Sequence, residues 1–388
     1  MMRTITVENY KSIHKLKLDL GRITVFIGEN GCGKSNILEA IALASAAAGN
    51  KLDNEFLVSR GIRVTDPQLM RSAFAKENIL SEIKISILGQ NQQGLRFFLQ
   101  NDNRPYSKWV NQIEIAHPQR LPYNIAQVWQ IKEENIGANI FNKGANIFNA
   151  DYSVLIPDPE SAIIFWGYLP EFLIYSPEIY SLQTFQKEGQ IQPLGIHGEG
   201  LFKLLKVLKA DKNHDKISAI KEKLRLIDWF EDFQLPQNGS EIEHFIKIKD
   251  RYLEENVEYF DQKSSNEGFL FLLFYFALFI SDDTPKFFAI DNIDASLNPR
   301  LCRRVMQELI TLAQEYDKQV IFTTHNAAIL DGLNLEDEEQ KLYVIYRNLS
   351  GHTKAKQIFS PEKLPGKEPV KLSEAFLRGY LGGLPKNF

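Results

Sequence analysis

The chain has 388 residues, 44% of them hydrophobic and 24% charged, and its 45 basic and 49 acidic side chains leave a net charge of −4. This composition is typical of a globular protein with a large core, built as one domain with insertions or as two, and the charge balance indicates no nucleic acid, which would need a local basic surface. Two cysteines are too few for a disulfide framework or a metal site and indicate a reducing cytosol.

Two strands are predicted at the start of the chain, at residues 3–7 and 15–20. In the second strand, leucines alternate with Lys17 and Asp19, which is the period of a strand with one buried face. We therefore expect an antiparallel hairpin or meander here. Because the strand pattern begins at once, we expect no signal peptide.

The next element is a glycine-rich loop. Residues 28–35 read GENGCGKS and fit the pattern G-x-x-x-x-G-K-[ST]. The apolar segment Ile23–Ile27 predicts a buried strand before the loop, and residues 36–48, rich in Ala, Leu and Ile, predict a helix after it that ends at Gly49. Strand, glycine loop and helix together predict a binding site for a nucleoside triphosphate.

The residues of this motif have different roles in nucleotide binding. Glycines let backbone N–H groups turn toward phosphate oxygens, and the helix N-terminus adds partial positive charge. Lys34 is expected to reach the β- and γ-phosphates, and the Ser35 hydroxyl to bind Mg²⁺. The predicted nucleotide-binding residues are Asn30, Gly31, Cys32, Gly33, Lys34, Ser35 and Asn36.

The middle of the chain carries no motif and is predicted to be an insertion with β-hairpins and a helical lobe. Residues 82–88 and 95–100 predict two strands joined by a turn, and residues 201–230 have helical spacing. The hexapeptide GANIFN occurs twice between residues 137 and 149, which predicts a duplicated surface loop rather than a repeat protein.

Strands and helices alternate again from residue 264. The apolar run FLFLLFYFALFI at 269–280 is too short to cross a bilayer about 30 Å thick and predicts a buried helix. The further predictions are strands at 287–290, 319–323 and 342–346 and a helix at 299–316. This alternation predicts a mostly parallel sheet covered by helices.

A phosphate loop needs a partner carboxylate for Mg²⁺, expected at the end of a buried strand. Residues 287–291 read FFAID, so that Asp291 follows four apolar residues. Ser35 and Asp291 are therefore the predicted metal ligands. The strand at 319–323 similarly leads into Thr324 and His325.

These motifs, in this order, resemble those of the ATP-binding-cassette (ABC) ATPases, in the soluble branch that contains RecF, the SMC proteins and the OLD-like defence ATPases. Residues 8–13, ENYKSI, look like the N-F-K-S segment that precedes the phosphate loop in that branch. The resemblance implies a P-loop ABC-type ATPase with an α/β fold: a mostly parallel sheet core, an antiparallel N-terminal β subdomain and a helical insertion.

The resemblance also implies roles for residues near the C-terminal strands. Asp291 looks like the Walker B aspartate, residues 296–299 (SLNP) look like the D-loop, and His325 looks like the switch histidine near the γ-phosphate. These residues would act on ATP bound with Mg²⁺.

A second subunit is implied by the signature loop, which in the family caps the γ-phosphate bound by the other subunit. Its place is taken here by a degenerate sequence, SSNEG, in which Ser265 and Gly268 are the expected functional residues. Gln183 and Gln186 are both candidates for the Q-loop glutamine.

The chain departs from the family directly after Asp291. The family has Glu there, as base or water positioner, whereas this chain has Asn292, whose amide cannot accept a proton. Three explanations stay open: Asp294 replaces the base, Asn292 orients water while Mg²⁺ and the lysine supply the electrostatics, or the protein is a slow, nucleotide-gated switch. Since loss of a base costs about 10²–10⁴-fold in rate, we expect slow ATP hydrolysis.

Two classes of protein within this superfamily do not fit the sequence: transporter cassettes and OLD-like proteins with a nuclease domain. Transporter cassettes place the signature much closer to the phosphate loop than Ser264 lies to Ser35, and no membrane span is predicted. Too few residues follow His325 for the TOPRIM nuclease of OLD-like proteins. The tail at 372–388 resembles the ends of stand-alone ATPases from bacterial defence operons.

We therefore expect a cytoplasmic ATPase that forms a homodimer or higher homo-oligomer and controls a separately encoded effector, a nuclease or toxin, in anti-phage defence. The alternatives are a RecF-like DNA-repair ATPase, although the charge does not indicate DNA, and an ATP-gated scaffold that hardly hydrolyses ATP and sequesters its partner. The expected domains are 1–50 and 264–350 for the two parts of the ATPase core, 51–263 for the insertion and 351–388 for the tail.

Overall fold

The computed structural model describes residues 1–74, 76–104, 107–116, 123–124, 167–184, 193–210, 215–236, 245–254, 257–360 and 370–383. Two predictions lie outside these residues: the duplicated GANIFN loop and Gln186 as a Q-loop candidate.

The described chain alternates strands and helices. The strands are β1 Met2–Tyr10, β2 Ile13–Asp19, β3 Ile23–Ile27, β4 Ile83–Gly89, β5 Gly94–Gln100, β6 Val110–Ala116, β7 Tyr123–Asn124, β8 Ile174–Tyr175, β9 Phe230–Gln234, β10 Lys247–Asp250, β11 Phe287–Ile290, β12 Gln319–Thr324, β13 Gln340–Arg347 and β14 Thr353–Ile358. The α-helices are α1 Lys34–Ala48, α2 Asn54–Ser59, α3 Pro67–Met70, α4 Ile179–Thr184, α5 Leu201–Ala210, α6 Asp215–Leu224, α7 Glu267–Ile280, α8 Pro299–Glu315 and α9 Leu372–Leu377; 3-10 turns cover Lys76–Ile79 and Ala327–Gly332.

One predicted element is wrong in extent. The helical spacing of residues 201–230 is present in α5 and α6, but the chain changes to a strand, β9, from Phe230. Phe230 and Phe233 are both buried, and β9 pairs with β10, so that core packing of these aromatic side chains overrides the helical period.

The chain divides into two compact units. The first contains Met1–Gly21, Asn30–Phe172 and Ile345–Gln357, and the second contains Arg22–Glu29, Leu173–Val344 and Ile358–Phe388.

The first unit contains the predicted antiparallel sheet. Its strands lie in the order β2-β1-β4-β5-β6-β7, and Val7 of β1 pairs with Leu16 on one side and Ile85 on the other. The helix α1 is buried over nearly its whole length, because its many alanines leave little side chain between the helix and its neighbours β1 and β4. It ends at Gly49, as predicted.

The second unit contains the predicted parallel sheet. Strands β13, β3, β12, β11 and β8 pair in this order, all in parallel. Their residues are fully buried in β3, β11 and β12, which explains the continuous apolar runs in the sequence. Parallel pairing brings the carboxyl ends of β3, β11 and β12 to the same edge of the sheet.

The two long helices of the second unit differ in character. Every residue of α7 from Phe269 to Ile280 is buried, which confirms the predicted core helix. By contrast, α8 is amphipathic and is capped by Asn298, whose side chain accepts a hydrogen bond from Leu301 N at 3.0 Å. Among the described residues, no helix has the length and apolar character needed to cross a membrane.

Candidate functional site

The phosphate loop takes a backbone conformation that requires glycine. Gly31 has φ 73° and Gly33 has φ 109°, a region in which side chains cause strain. A Cβ on Gly33 would lie 2.1 Å from Thr353 Oγ1, whereas a Cβ on Gly31 would meet no atom within 4 Å. α1 starts directly at Lys34, and its N-cap residue, Gly33, has no side chain that could cap the first turn.

Hydroxyl and amide side chains of the first unit fix this loop. Thr353 Oγ1 donates a hydrogen bond to the Cys32 carbonyl oxygen at 2.8 Å and lies 2.6 Å from Ser12 Oγ. Asn36 Nδ2 donates to Ser12 Oγ at 2.7 Å. Residues 8–13, the segment that resembles N-F-K-S, therefore support the loop through Ser12.

Glu39 forms a buried ionic cluster that the sequence analysis missed. It lies in α1 with 1% of its surface exposed, and its carboxylate accepts hydrogen bonds from Tyr10 OH at 3.2 Å, from Lys11 Nζ and from Arg63 Nε. Burial, together with the Glu39 charge, raises the pKa of the Tyr10 phenol, and burial lowers the pKa of the Lys11 ammonium. The single acidic residue in the sequence of α1 is the signal that could have indicated this cluster.

Three predicted residues follow neighbouring strands at the carboxyl edge of the parallel sheet. Gly28 follows β3, Asp291 follows β11 and His325 follows β12. In the pairing, Ile290 lies opposite Phe322, and Thr324 lies opposite Ile27. Asp291 is half-buried and His325 is exposed. The carboxylate and the histidine predicted at the ends of buried strands thus belong to adjacent strands of the sheet.

Thr323 orients the Asp291 carboxylate. Its Oγ1 donates to Asp291 Oδ1 and accepts a hydrogen bond from Asn292 N at 2.9 Å. Asn292 has an exposed side chain and φ 57°, in the left-handed region that Asn tolerates better than Glu. The backbone thus gives a local reason for Asn at this position. The two threonines before His325 are the signal by which Thr323 could have been identified.

Asp294 is bonded to the neighbouring strand. Thr324, which is fully buried, donates from Oγ1 to Asp294 Oδ1 at 2.6 Å, and the same hydroxyl accepts from Asn326 N at 2.9 Å. Asn326 in turn caps the turn Ala327–Gly332 by accepting from Ala328 N at 2.9 Å. A role for Asp294 as general base stays a prediction.

The thiol of Cys302 contacts Asn326, the residue that is bonded to Thr324. Asn326 Nδ2 lies 3.5 Å from Cys302 Sγ, and the thiol donates to the Leu297 carbonyl oxygen at 3.8 Å. Burial, with a smaller contribution from the Asp294 charge, raises the pKa of the Cys302 thiol to about 11. The thiol therefore stays protonated at neutral pH and keeps its S–H donor.

The predicted signature residues flank the N-terminus of α7. Asn266 caps the helix by accepting from Phe269 N at 2.9 Å, and Gly268 lies in the first turn. Ser265 is 8% exposed, and its buried Oγ has no hydrogen-bond partner among the described residues. A buried hydroxyl without a partner costs about 1–3 kcal/mol, so Ser265 Oγ is a polar atom available to a further hydrogen-bonding group.

Gln183, the described Q-loop candidate, lies in α4. Its carbonyl oxygen accepts a hydrogen bond from Gln262 Nε2 at 3.1 Å, and Gln262 Oε1 accepts from Ile246 N at 2.9 Å. These contacts involve the backbone of Gln183, so its role toward nucleotide stays a prediction.

The residues present fit Mg²⁺ as the metal of a bound nucleotide. Ser35 and Asp291 offer hard oxygen donors, and no group of three or more His, Cys, Asp or Glu side chains in the described part of the chain could hold an ion alone. Mg²⁺ usually binds through one or two protein ligands together with phosphates and waters, so a sparse protein ligand set is what this ion requires.

Two curated proteins of Methanocaldococcus jannaschii match parts of the chain. "Uncharacterized protein MJECL10" is 32% identical over 113 residues, which are 28% of this chain and 50% of that protein. "DNA double-strand break repair Rad50 ATPase" is 25% identical over 126 residues, which are 30% of this chain and 11% of that protein. The chain thus spans about half the length of one relative and about a tenth of the other.

Two solved SMC head domains share the fold. The SmcHead bound to the C-winged helix domain of ScpA has a TM-score of 0.56 at 15% identity and covers 92% of this chain and 98% of its own. The Smc head domain with an extended coiled coil, bound to the C-terminal domain of ScpA derived from Pyrococcus furiosus, has a TM-score of 0.52 at 13% identity. The match covers 92% of this chain and 96% of that head domain. The predicted P-loop ATPase fold is therefore confirmed.

The family follows from a profile match over well more than half of the chain. The profile described as "AAA domain, putative AbiEii toxin, Type IV TA system" matches residues 23–161 and 195–331, which include the phosphate loop, Ser265, Asp291 and His325. The chain belongs to this AAA family and is an ABC-type ATPase of the class that includes the SMC and Rad50 proteins.

Proposed function

We propose that the protein binds ATP with Mg²⁺, dimerises around two nucleotides, hydrolyses them slowly and thereby controls a separately encoded nuclease or toxin in anti-phage defence. The observation that carries the proposal is the buried Ser265 hydroxyl without a partner in the described chain, beside the N-terminus of α7. A γ-phosphate bound by a second subunit would supply the missing partner. The family description names a toxin and a type IV TA system, which supports a role beside a toxic effector.

In this proposal different residues bind the phosphates and the metal ion. Backbone N–H groups at residues 30–36 and the Lys34 ammonium bind the phosphates, and Ser35 and Asp291 hold Mg²⁺. The metal ion, when bound, withdraws charge from the phosphate oxygens. Thr323 fixes the Asp291 carboxylate through its hydrogen bond, and His325 faces the γ-phosphate.

Asn292 makes hydrolysis slow. Its amide can orient a water but cannot take its proton, and a missing base costs about 10²–10⁴-fold in rate. ATP turnover of the wild type, measured against Lys34→Ala as the inactive reference, tests the enzyme itself. Turnover no higher than that of Lys34→Ala would favour the ATP-gated scaffold over the enzyme. Asn292→Glu should raise turnover if only the base is missing.

Dimerisation is tested separately from hydrolysis. Ser265→Arg places a long cation at the proposed subunit contact, and we expect it to abolish the ATP-dependent dimer while the affinity of each subunit for ATP changes less than about threefold. Lys263→Arg, at an exposed position close by, is the matched control. Analytical ultracentrifugation with and without ATP measures the result, and a wild type that stays monomeric with ATP and Mg²⁺ contradicts the proposal.

A basic groove in the second unit supports the control of a partner. The groove, of about 460 Å³, is lined by four cations, Arg300, Arg303, Arg304 and Lys371, and by one carboxylate, Asp331. We call it the cationic groove. Asp331 already accepts hydrogen bonds from Ser373 N at 3.0 Å and Ser373 Oγ at 2.7 Å, and none of the four cations has a salt bridge to a described residue. Their charge is therefore available to an anionic partner.

The position of the cationic groove relates it to the nucleotide-binding elements. Its arginines belong to α8, which begins at Pro299, the last residue of the D-loop segment, and Ala328 in the wall of the groove lies three residues after His325. The solved SMC heads are each bound to a domain of ScpA, which shows by analogy that this fold can carry a partner protein.

The same groove favours one second candidate, a DNA-repair ATPase, because arginines also bind phosphate backbones. Arg303→Glu combined with Arg304→Glu separates the two. Binding of the effector encoded by a neighbouring gene, lost in this variant, supports control of a partner. Binding of a 20-base-pair duplex that weakens steeply with salt and is lost in the variant supports DNA repair instead.

A further inference from the structure

A polar group that the sequence analysis did not identify lies at the carboxyl end of the edge strand β8. β8 runs parallel to β11, and the Asp291 amide donates to the Tyr175 carbonyl oxygen at 2.9 Å. Residues 176–178 therefore leave the sheet directly beside Asp291 and Asn292. Here the chain is joined by a second segment, because Glu178 N donates to the His197 carbonyl oxygen at 2.9 Å.

Residues 195–200, GIHGEG, form a tight loop that holds His197 in place. The Glu199 carboxylate accepts a hydrogen bond from His197 N at 2.9 Å. The next residue, Gly198, has φ 100°, and a Cβ on it would lie 2.5 Å from Leu182 Cδ2. The loop thus requires glycine beside the histidine, and its position is fixed by packing as well as by hydrogen bonds.

The contacts of the His197 ring determine which of its nitrogens carries the proton. Nδ1 lies 3.1 Å from the Ser176 carbonyl oxygen and 3.4 Å from Glu178 Oε1. A carbonyl oxygen and an ionised carboxylate only accept, so Nδ1 is the donor and Nε2 of the neutral ring keeps a free lone pair. Nε2 has no hydrogen bond to a described residue. An unprotonated nitrogen in a fixed tautomer is what a general base requires.

The pair is within reach of both water and the end of β11. The side chains of His197 and Glu178 are 39% and 62% exposed, so water has access to them. Because His197 is bonded to residues 176–178, which follow the neighbour of β11, its backbone lies about two strand spacings, roughly 10 Å, from Asn292. An imidazole side chain and one bound water span this distance, and a base can act through one water.

We propose that His197, oriented by Glu178, is the general base for ATP hydrolysis in this chain, in place of the glutamate that is absent at Asn292. Nε2 takes a proton from the water whose oxygen forms a bond to the γ-phosphorus. The bond from the γ-phosphorus to the β,γ-bridging oxygen breaks, ADP leaves with its electron pair, and the imidazolium later releases the proton to solvent. Glu178 is a positioning residue. The inference rests on the proposed ATPase activity, whose slow turnover this pair supports.

The imidazolium that forms in this step is stabilised by its surroundings. The charged groups in contact with His197 among the described residues are the Glu178 and Glu199 carboxylates, and both are negative when ionised. A carboxylate on Nδ1 holds the ring in the tautomer that accepts at Nε2 and stabilises the positive charge after proton transfer. We therefore expect removal of the Glu178 charge to lower turnover without removing the base.

The proposed role of His197 competes with that of Asp294, which the sequence suggests as a base. Asp294 Oδ1 already accepts the Thr324 hydroxyl at 2.6 Å, whereas Nε2 of His197 is not bonded to any described residue. If His197 is the base, His197→Asn loses turnover and Asp294→Asn keeps its acid-dependent profile. Turnover that is lost in Asp294→Asn but kept in His197→Asn overturns the inference.

The first experiment needs no nucleotide. ¹⁵N NMR of protein labelled at its seven histidines shows which nitrogen of each neutral ring is protonated. The resonances that disappear in His197→Asn identify His197. We expect a proton on Nδ1 and none on Nε2. A neutral ring that is protonated on Nε2 overturns the inference, whether or not the protein hydrolyses ATP.

The second experiment measures single-turnover cleavage of ATP. His197→Asn keeps a side-chain N–H that can donate to the Ser176 carbonyl oxygen, but it removes the accepting nitrogen. We expect the rate to fall about a hundredfold or more with unchanged ATP affinity. The wild-type rate should fall toward acidic pH as the base is protonated, and this dependence should be absent in His197→Asn. Glu178→Gln should lose less, and Glu222→Gln, at an exposed position in α6, is the matched control and should lose nothing.

The outcomes separate the inference from the proposed function. A wild type that cleaves ATP faster than Lys34→Ala, together with a His197→Asn variant as fast as the wild type, overturns the inference alone. A wild type no faster than Lys34→Ala overturns the proposed enzyme and the inference with it. Unchanged ATP affinity in His197→Asn shows that the variant is folded, so a loss of cleavage then reports the missing base.

Discussion

The phosphate loop and the linker loop, residues 292–298 between Asp291 and α8, both contain residues with a left-handed backbone, but they achieve this conformation by different means. In the phosphate loop the positive φ angles fall on Gly31 and Gly33, for which this conformation costs no side-chain strain. In the linker loop they fall on Asn292 and Ser296, and hydrogen bonds from neighbouring segments enforce them. The conformation of the phosphate loop is thus set by residue type, whereas the conformation of the linker loop depends on its contacts.

The difference predicts where substitutions act. A change in the phosphate loop should weaken nucleotide binding directly, because the glycines themselves allow the conformation of this loop. A change around the linker loop should leave nucleotide binding in place and alter dimerisation and turnover. Substitutions in the two loops can therefore be ranked by the size of their expected effect, and each of them tests this difference.

The largest effect is expected for Gly33→Ala. Its Cβ would lie 2.1 Å from Thr353 Oγ1 at φ 109°, so we expect ATP affinity to fall about a hundredfold or more. Gly31→Ala is the matched control, since its Cβ meets no atom within 4 Å and only the strain of φ 73° opposes it; a loss of about tenfold is expected. Isothermal titration with ATP measures both, and equal losses would show that the contact with Thr353 is unimportant.

The reactivity of Cys302, which lies in α8 after the linker loop, is the next prediction. Since the pKa of the Cys302 thiol is raised to about 11 from an ordinary value of 9.0, we expect about a hundredfold less thiolate at pH 8 and correspondingly slow alkylation in a Cys32→Ala background. The raised pKa favours the protonated folded state, so its contribution to stability is complete below pH 9 and is lost as the pH rises from 9 to 11.

Maleimide labelling of native and urea-unfolded protein measures this difference. Cys302→Ala in the same background is the blank. Native labelling at pH 8 as fast as labelling of the unfolded chain would show that the thiol is not enclosed beside Leu297 and Asn326.

Thr323→Val tests the support of Asp291 and is expected to have a smaller effect. It keeps the shape of the side chain but removes the donor to the carboxylate, and loss of such a supporting hydrogen bond typically weakens metal affinity about 10–100-fold. We expect the Mg²⁺ concentration for half-maximal ATP turnover to rise about tenfold, the lower end of that range. Thr323→Ser, which keeps the hydroxyl, should behave like the wild type, and a similar rise in both variants would contradict the role of the hydrogen bond.

Much of the fold could be predicted because local patterns and tertiary structure agree. Strands β3 and β11 have the bounds that their apolar runs predict, and the buried helix α7 follows from an apolar stretch too short for a membrane. The strand β9 could not be predicted, because its conformation depends on burial of Phe230 and Phe233 rather than on local period.

The candidate site could be predicted only where a motif exists. The phosphate loop and Asp291 are read from short patterns in which every residue type is constrained. The partners of these residues come from distant parts of the chain: Thr353 on Cys32, Arg63 on Glu39 and Thr324 on Asp294. Such contacts are set by the sheet register and the packing of loops, which no local spacing encodes.

The smallest effect is expected for substitutions of Asn292, which should change both the stability of the protein and its turnover. Because its φ is 57°, we expect Asn292→Gly to change the free energy of unfolding by less than about 0.5 kcal/mol and Asn292→Ala to lower it by about 1 kcal/mol. Gln307→Ala, at an exposed position in α8, is the control and should be nearly neutral. Urea unfolding measures the stability of all three variants.

Asn292→Glu, the substitution that would restore the family's glutamate, should also lower the free energy of unfolding by about 1 kcal/mol. Its turnover is therefore to be compared with that of Asn292→Ala, which has the same backbone strain and no carboxylate; an Asn292→Ala variant as stable as the wild type would show that the linker loop is not held left-handed in solution.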